Sequence, residues 1–146
     1  MADRGAGVGI VTGGAGEMIT SRKTKRIVIA DDHAIVREGI RKLVERPDRV
    51  IVGEAGDGAD ALRLILAEKP DLAILDYSLP SLNGLQVIRK TMAALPETQM
   101  LLYTMHDKEE VLLDALQAGA RGYVLKSDAA EVLVAAVKAL LLKRPY

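Results

Sequence analysis

From Arg26 onward, short uninterrupted apolar runs alternate with longer stretches in which apolar residues recur at every third or fourth position. A short run that is apolar throughout suits a strand buried on both faces of a parallel sheet, whereas the wider spacing marks one face of a helix. On that basis Ile27-Val28-Ile29-Ala30 predicts the first strand, and Val36, Ile40, Leu43 and Val44 line a helix that Pro47 and Asp48 stop. Val50-Ile51-Val52 is the second strand, and Asp57-Gly58 turns into a helix with Leu62, Ile65 and Leu66 on one side. Asp71 to Leu75 forms the third strand, and a helix after Asn83 carries Leu85, Ile88, Met92 and Leu95 before Pro96 closes it. Met100-Leu101-Leu102-Tyr103 is the fourth strand, ending at Thr104. Asp107 is placed to cap a helix with Leu112, Ala115 and Leu116, and Gly119 stands just past its end. Gly122-Tyr123-Val124-Leu125 is the fifth strand, ending at Lys126, with Ser127 or Asp128 as cap of a last helix carrying Leu133, Ala136, Val137 and Leu140. Five strands alternating with five helices predict an α/β fold, and right-handed crossovers close it as a doubly wound parallel sheet covered on both faces. The alternation alone does not fix the strand order.

The residues at the strand ends add chemistry to this frame. Asp31 and Asp32 follow the first strand, Asp76 the third, Thr104 ends the fourth and Lys126 follows the fifth. In an open parallel sheet these ends share one edge, where such folds bind their ligands. Each residue alone has an ordinary reading: a turn or helix-cap aspartate, a surface lysine, a strand-end hydroxyl. One of Asp31 and Asp32 is expected to cap the first helix. Their convergence at one edge favours the chemical reading. Three carboxylates in one crevice repel and raise each other's pKa unless a cation sits among them. An all-oxygen donor set of this kind suits Mg²⁺, which shares its shell with a phosphoryl oxygen. A lysine that neutralises oxygen charge and a hydroxyl that donates complete a phosphoryl site in which one carboxylate serves as nucleophile. His33 and His106 are far apart and read as loop residues, so a zinc site is unsupported.

These residues resemble the receiver domain of two-component response regulators over about Arg26 to Leu142. The resemblance rests on Asp31-Asp32, on Asp76 with Pro80 and Gly84, on Thr104, and on Lys126 three places after Tyr123. Asp32-His33 with Arg37-Glu38-Gly39, Gly53-Glu54-Ala55 with Asp57-Gly58, and the run Ala118 to Lys126 look most like the LuxR/NarL-type subfamily. The resemblance implies a flavodoxin-like strand order, 2-1-3-4-5, and phosphorylation of Asp76 by a sensor histidine kinase. It implies that Asp31, Asp32, Asp76 and the backbone carbonyl of Ser78 hold Mg²⁺. Thr104 and Lys126 would bind phosphoryl oxygens, and Tyr123 would change its exposure in step with Thr104. Ser78 and His106 fall at positions that tune dephosphorylation in the family. Leu79 replaces the family's usual methionine, a conservative change. Output through a homodimer formed on phosphorylation is the implied consequence.

Composition sets the bounds. The 146 residues, 49% hydrophobic, suffice for one domain and a modest appendage. No stretch approaches the ~20 apolar residues of a membrane span, and the absence of cysteine removes disulfide and thiolate chemistry. A cytoplasmic setting is the default expectation. Net charge is zero, which gives no case for nucleic-acid binding by this chain itself, although residues 1–26 carry +3 and the rest −3. Six of the thirteen glycines lie between Gly5 and Gly16, ahead of the basic run Arg22-Lys23-Thr24-Lys25-Arg26. No apolar strand precedes Gly5-Ala6-Gly7-Val8-Gly9 and no amphipathic helix follows, so a dinucleotide loop is disfavoured and residues 1–25 read as a flexible tail.

The organisation expected is therefore a tail over 1–25, a receiver over 26–142, and at 143–146 the start of a linker. In the LuxR/NarL type such a linker leads to a helix-turn-helix domain, through which alone DNA would be read. A piece of a longer transcription regulator is the favoured reading, a stand-alone receiver the other. Two rivals concern function. A haloacid-dehalogenase-like phosphatase needs a second acid two residues after its nucleophile, where Ser78 stands. A pseudo-receiver, a binding module acting without phosphorylation, is opposed by the intact set of Asp31, Asp32, Asp76, Thr104 and Lys126.

Overall fold

A computed structural model describes residues 24–146 of the chain. The tail expected over 1–25 thus lies outside the described residues except for Thr24 and Lys25. The elements are β1 (Lys25–Ala30), α1 (Ala34–Val44), β2 (Arg49–Ala55), α2 (Gly58–Glu68), β3 (Leu72–Leu75), α3 (Gly84–Ala94), β4 (Gln99–Thr104), α4 (Glu109–Ala118), β5 (Gly122–Leu125) and α5 (Ala130–Leu141). All strand pairs are parallel and run in the order β2-β1-β3-β4-β5, so the five-strand alternation and the flavodoxin-like order both hold.

The alternation of side chains along each strand sorts the core into two layers. Ile27, Ile29, Leu72, Ile74, Leu101 and Val124 face α1 and α5, meeting Ile40, Val44, Leu133, Ala136, Val137 and Leu140. Val28, Ala30, Ala73, Leu75, Met100 and Leu102 face the other way, onto Ala61 and Ile65 of α2, Val87 and Ile88 of α3, and Ala115 of α4. Every residue of β3 is buried, as its unbroken apolar run requires of the central strand.

Several boundaries and faces differ from the sequence pattern. β1 begins at Lys25, inside the basic run, because Lys25 and Arg26 pair with Arg49 and Val50 of β2. β2 runs on to Ala55, and Asp71 falls just outside β3, where its carboxylate accepts the Arg26 N–H at 2.9 Å. The N-cap of α4 is Lys108 rather than Asp107, with no side-chain cap bond; Glu109 and Glu110 in the first turn complement the helix dipole instead. The N-cap of α5 is Ala129 rather than Ser127 or Asp128, because the Asp128 carboxylate already accepts the Leu125 N–H at 3.0 Å. Leu66 and Leu116 point outward, since alanines at Ala61 and at Ala115 and Ala118 form the contact stripes of α2 and α4.

The loop after β3 is fixed to the start of α2. Asp57 caps α2 by accepting the Asp60 N–H at 2.8 Å; Pro80 O accepts the Gly58 N–H at 2.9 Å, and Ser81 Oγ accepts that of Ala59 at 3.1 Å. The orphan amides of the helix start are therefore met largely by that loop. The approach is so close that a Cβ on Gly58 would lie 1.8 Å from the Leu82 carbonyl oxygen. At α3, Asn83 and Gln86 form a reciprocal capping box that launches the helix.

Two glycine substitutions should separate tight packing from helix propensity. Gly58→Ala is expected to cost at least the ~1–3 kcal/mol typical of overpacking, because the obstacle is backbone. Gly39→Ala, in open space within α1, is expected to stabilise by up to about 1 kcal/mol. Urea midpoints of the two variants and the parent measure both signs.

Candidate functional site

The site residues are set by the ends of the ladder itself. The Asp31 N–H donates to Ala55 O and the Asp76 N–H to Ala30 O, each at 3.0 Å, and the Lys126 N–H donates to Thr104 O at 2.8 Å. Each residue is thus held by a sheet-like bond one step past its strand. Asp31, Asp76 and Thr104 are all buried. Gly84 leaves room for this corner: its N–H donates to Tyr77 O, and a Cβ there would come within 2.5 Å of Asp76 O.

Lys126 lies between two of the acids. Its Nζ donates to Asp31 Oδ2 at 2.7 Å and to Asp76 Oδ2 at 2.9 Å. Burial pushes the Asp76 carboxyl up, but the hydrogen bond from the Lys126 ammonium, the neighbouring Thr104 hydroxyl, the Lys126 charge and the Ser78 N–H outweigh it. The net effect holds Asp76 below its ordinary range. Burial acts to lower Lys126, and its bonds to Asp31 and Asp76 reverse that, so the ammonium is held above its usual value. The chain itself thus supplies a cation beside these two acids.

The residues expected at the edge are brought together with a difference in arrangement. Asp32 is exposed beside His33, whose Nδ1 lies 3.0 Å from Asp32 Oδ1 and 3.4 Å from Asp31 Oδ1. Among the described residues, the potential ligand atoms that fall within 4.8 Å of one another belong to Asp31, Asp32 and His33. Asp76 stands outside that cluster, with the Lys126 ammonium bridging it to Asp31. Neither Asp31 nor Asp32 caps α1, since its N-cap is His33 without a side-chain bond and Asp31 Oδ1 accepts the His33 N–H at 2.9 Å.

The donors fit a hard divalent cation. Asp31 and Asp76 each turn only one oxygen, Oδ2, to Lys126. The Oδ1 atoms accept single backbone N–H groups, from His33 and from Ser78 at 3.3 Å, and keep lone-pair capacity. With the exposed Asp32 they form an oxygen set suited to Mg²⁺.

Three residues that the sequence names without a contact gain one here. His106, a loop residue that the resemblance sets at a position tuning dephosphorylation, has its Nε2 2.7 Å from Ser78 Oγ, and its carbonyl accepts the Tyr123 hydroxyl at 2.5 Å. His33, a loop residue by its sequence, stands at the acids. Arg37 joins two motifs that are separate in sequence, donating from Nε to Glu54 Oε1 at 3.0 Å and from its guanidinium to Asp31 O at 2.6 Å. A basic residue one helical turn beyond paired aspartates is the available signal for Arg37. No local pattern marks the histidine contacts.

Comparison with known proteins agrees with this geometry. The family model described as the response regulator receiver domain matches residues 27–138. The transcriptional regulatory protein YhcZ of Bacillus subtilis (strain 168), itself uncharacterised, is 44% identical over 110 residues, which cover 75% of this chain and 51% of that protein. The chain thus spans about half the length of that curated relative. A crystal structure of a LuxR-family two-component response regulator from Aurantimonas sp. SI85-9A1 is 40% identical, with a TM-score of 0.80 over 84% of this chain and 89% of that one. The signal receiver domain of NarL from Mycobacterium tuberculosis is 39% identical, with a TM-score of 0.79 over 84% of this chain and all of that one. With family model, sequence and fold in agreement over the same strands, the chain belongs to the response regulator receiver domain family, in its LuxR/NarL-type branch.

Proposed function

We propose that Asp76 is the phosphoacceptor of this receiver and that a sensor histidine kinase is its donor. The observation that carries the reading is the single ammonium of Lys126 shared by buried Asp31 and Asp76, beside buried Thr104. It keeps Asp76 ionised, as a nucleophile must be. An Asp76 carboxylate oxygen attacks phosphorus; the new P–O bond forms as the P–N bond of the donor phosphohistidine breaks, and the imidazole leaves with its electron pair. Lys126 then transfers hydrogen bonds to phosphoryl oxygens, and the Thr104 hydroxyl turns toward them. Asp31, Asp32, Asp76 and the Ser78 carbonyl would hold Mg²⁺, whose charge, when bound, offsets that of the phosphoryl oxygens.

The protein is a switch rather than a turnover enzyme. Phosphorylation biases a two-state equilibrium in which Thr104 and Tyr123 move together and a homodimer forms. Residues 26–142 are the receiver, to which Lys25 adds the first residue of β1, and 143–146 begin a linker to a helix-turn-helix domain that reads DNA in the full regulator. The setting is the cytoplasm. Among the described residues, no helix is long and apolar enough to cross a membrane.

Intact mass after incubation with Mg²⁺ and acetyl phosphate tests the reading. The parent is expected to gain one phosphoryl group and Asp76→Asn none, with the fold retained. No gain in a folded parent returns the pseudo-receiver.

The charge state of Asp76 has its own signature. A carboxyl held below its ordinary value stabilises the fold above that value and loses the contribution as pH falls through the depressed value. In Mg²⁺-free buffer, the stability of the parent relative to Asp76→Asn is therefore expected to decline as pH drops below about 4. Urea melts across that range measure it, and a relative gain for the parent on acidification contradicts the assignment.

A further inference from the structure

His106 sits where two loops and a strand meet. Asp76 and Thr104 lie at the carboxyl ends of neighbouring β3 and β4, and Ser78 and His106 are each two residues farther on. The Ser78 Oγ to His106 Nε2 bond of 2.7 Å therefore spans the mouth between the acceptor carboxylate and the hydroxyl expected to follow it. The same histidine is engaged on three more sides. Its N–H approaches Thr104 Oγ1 at 3.4 Å, its carbonyl accepts the Tyr123 hydroxyl at 2.5 Å, and its ring meets Tyr77 edge-on with centroids 4.6 Å apart.

We propose that the Ser78–His106 bond is a latch on the unphosphorylated state, with His106 the positioning residue that ties Thr104 and Tyr123 to it. The inference rests on Asp76 being the phosphoacceptor. A phosphoryl group must enter between the two loops that the bond joins. The turn of Thr104 toward it draws Oγ1 away from the His106 N–H and disturbs the segment whose carbonyl holds Tyr123. The latch thus opposes phosphoryl entry and couples opening of the mouth to release of the tyrosine. Its strength is that of an ordinary side-chain hydrogen bond, equivalent to roughly two- to tenfold in the equilibrium between the two states.

The test is a double-mutant cycle with Ser78→Ala and His106→Ala, read by titration with beryllofluoride and Mg²⁺, the phosphoryl mimic binding without covalent turnover. Ser78→Ala retains the backbone carbonyl proposed for the metal. Each single variant is expected to bind about two- to tenfold more tightly than the parent, and the double variant no more tightly than the singles. Unchanged or weaker binding in the singles, or fully additive effects, overturns the latch. Parent binding that Asp76→Asn abolishes supports the acceptor assignment separately, and failure of the parent to bind counts against that assignment.

Amide hydrogen exchange without any ligand tests the latch independently. Residues 77–82 and 105–108 are expected to exchange several-fold faster in both single variants, again without a further increase in the double. Equal protection in all four proteins overturns the latch whatever the titration gives.

Discussion

One ammonium group between two buried carboxylates governs the arrangement of this molecule's functional edge. Asp31, Asp76 and Lys126 come from three strands, and their backbones are pinned by ladder bonds that continue past the strand ends. Removing one partner from such a buried set leaves an uncompensated charge, at a cost of about 3–5 kcal/mol. The sheet order is therefore coupled to the chemistry: β1 and β3 are neighbours, which sets Asp31 beside Asp76, and Lys126 reaches both acids from β5 across the end of β4. With Asp76 as the proposed phosphoacceptor, the ammonium that serves carboxylate oxygens here would be in place to serve phosphoryl oxygens.

Around the bridge, polar contacts tie functional loops to rigid elements. Arg37 links α1 to Glu54 of β2 and to the Asp31 carbonyl, fixing the acidic corner. The loop after β3 is fastened at its far end to the start of α2 and at its near end to His106. Asp76 thereby lies between a side fastened to α2 and a side that meets His106 through Ser78 and the Tyr77 ring. That asymmetry suits a switch, in which most of the site stays preorganised and a small part moves.

The fold was largely legible in the sequence because its core strands are apolar at every position and its helices carry a regular stripe. β3 and the two-layer core follow from those patterns directly. The strand order came from resemblance, since nothing in the periodicity distinguishes one right-handed winding from another. The helix caps fall at Lys108 and Ala129 rather than at Asp107, Ser127 or Asp128; capping residues are equally good turn residues, and the Asp128 carboxylate is engaged by the Leu125 amide. The outward turn of Leu66 and Leu116 could not be seen, because small alanines won the close helix–sheet contacts and left the larger side chains outside. At the site, residue identities were legible but pair geometry was not. Separations of 95 residues for Lys126 to Asp31 and 28 for Ser78 to His106 leave no local trace.

The account turns on Lys126 holding Asp76 ionised against the pull of burial. Carboxyl ¹³C NMR of Asp76 in Mg²⁺-free protein, titrated in the parent and in Lys126→Met, measures this directly. A carboxyl that titrates below its ordinary value of 3.8 in the parent and moves upward in Lys126→Met is the expected result, since burial then acts with its main opponent gone. An Asp76 that titrates at the same pH in both proteins would contradict the account.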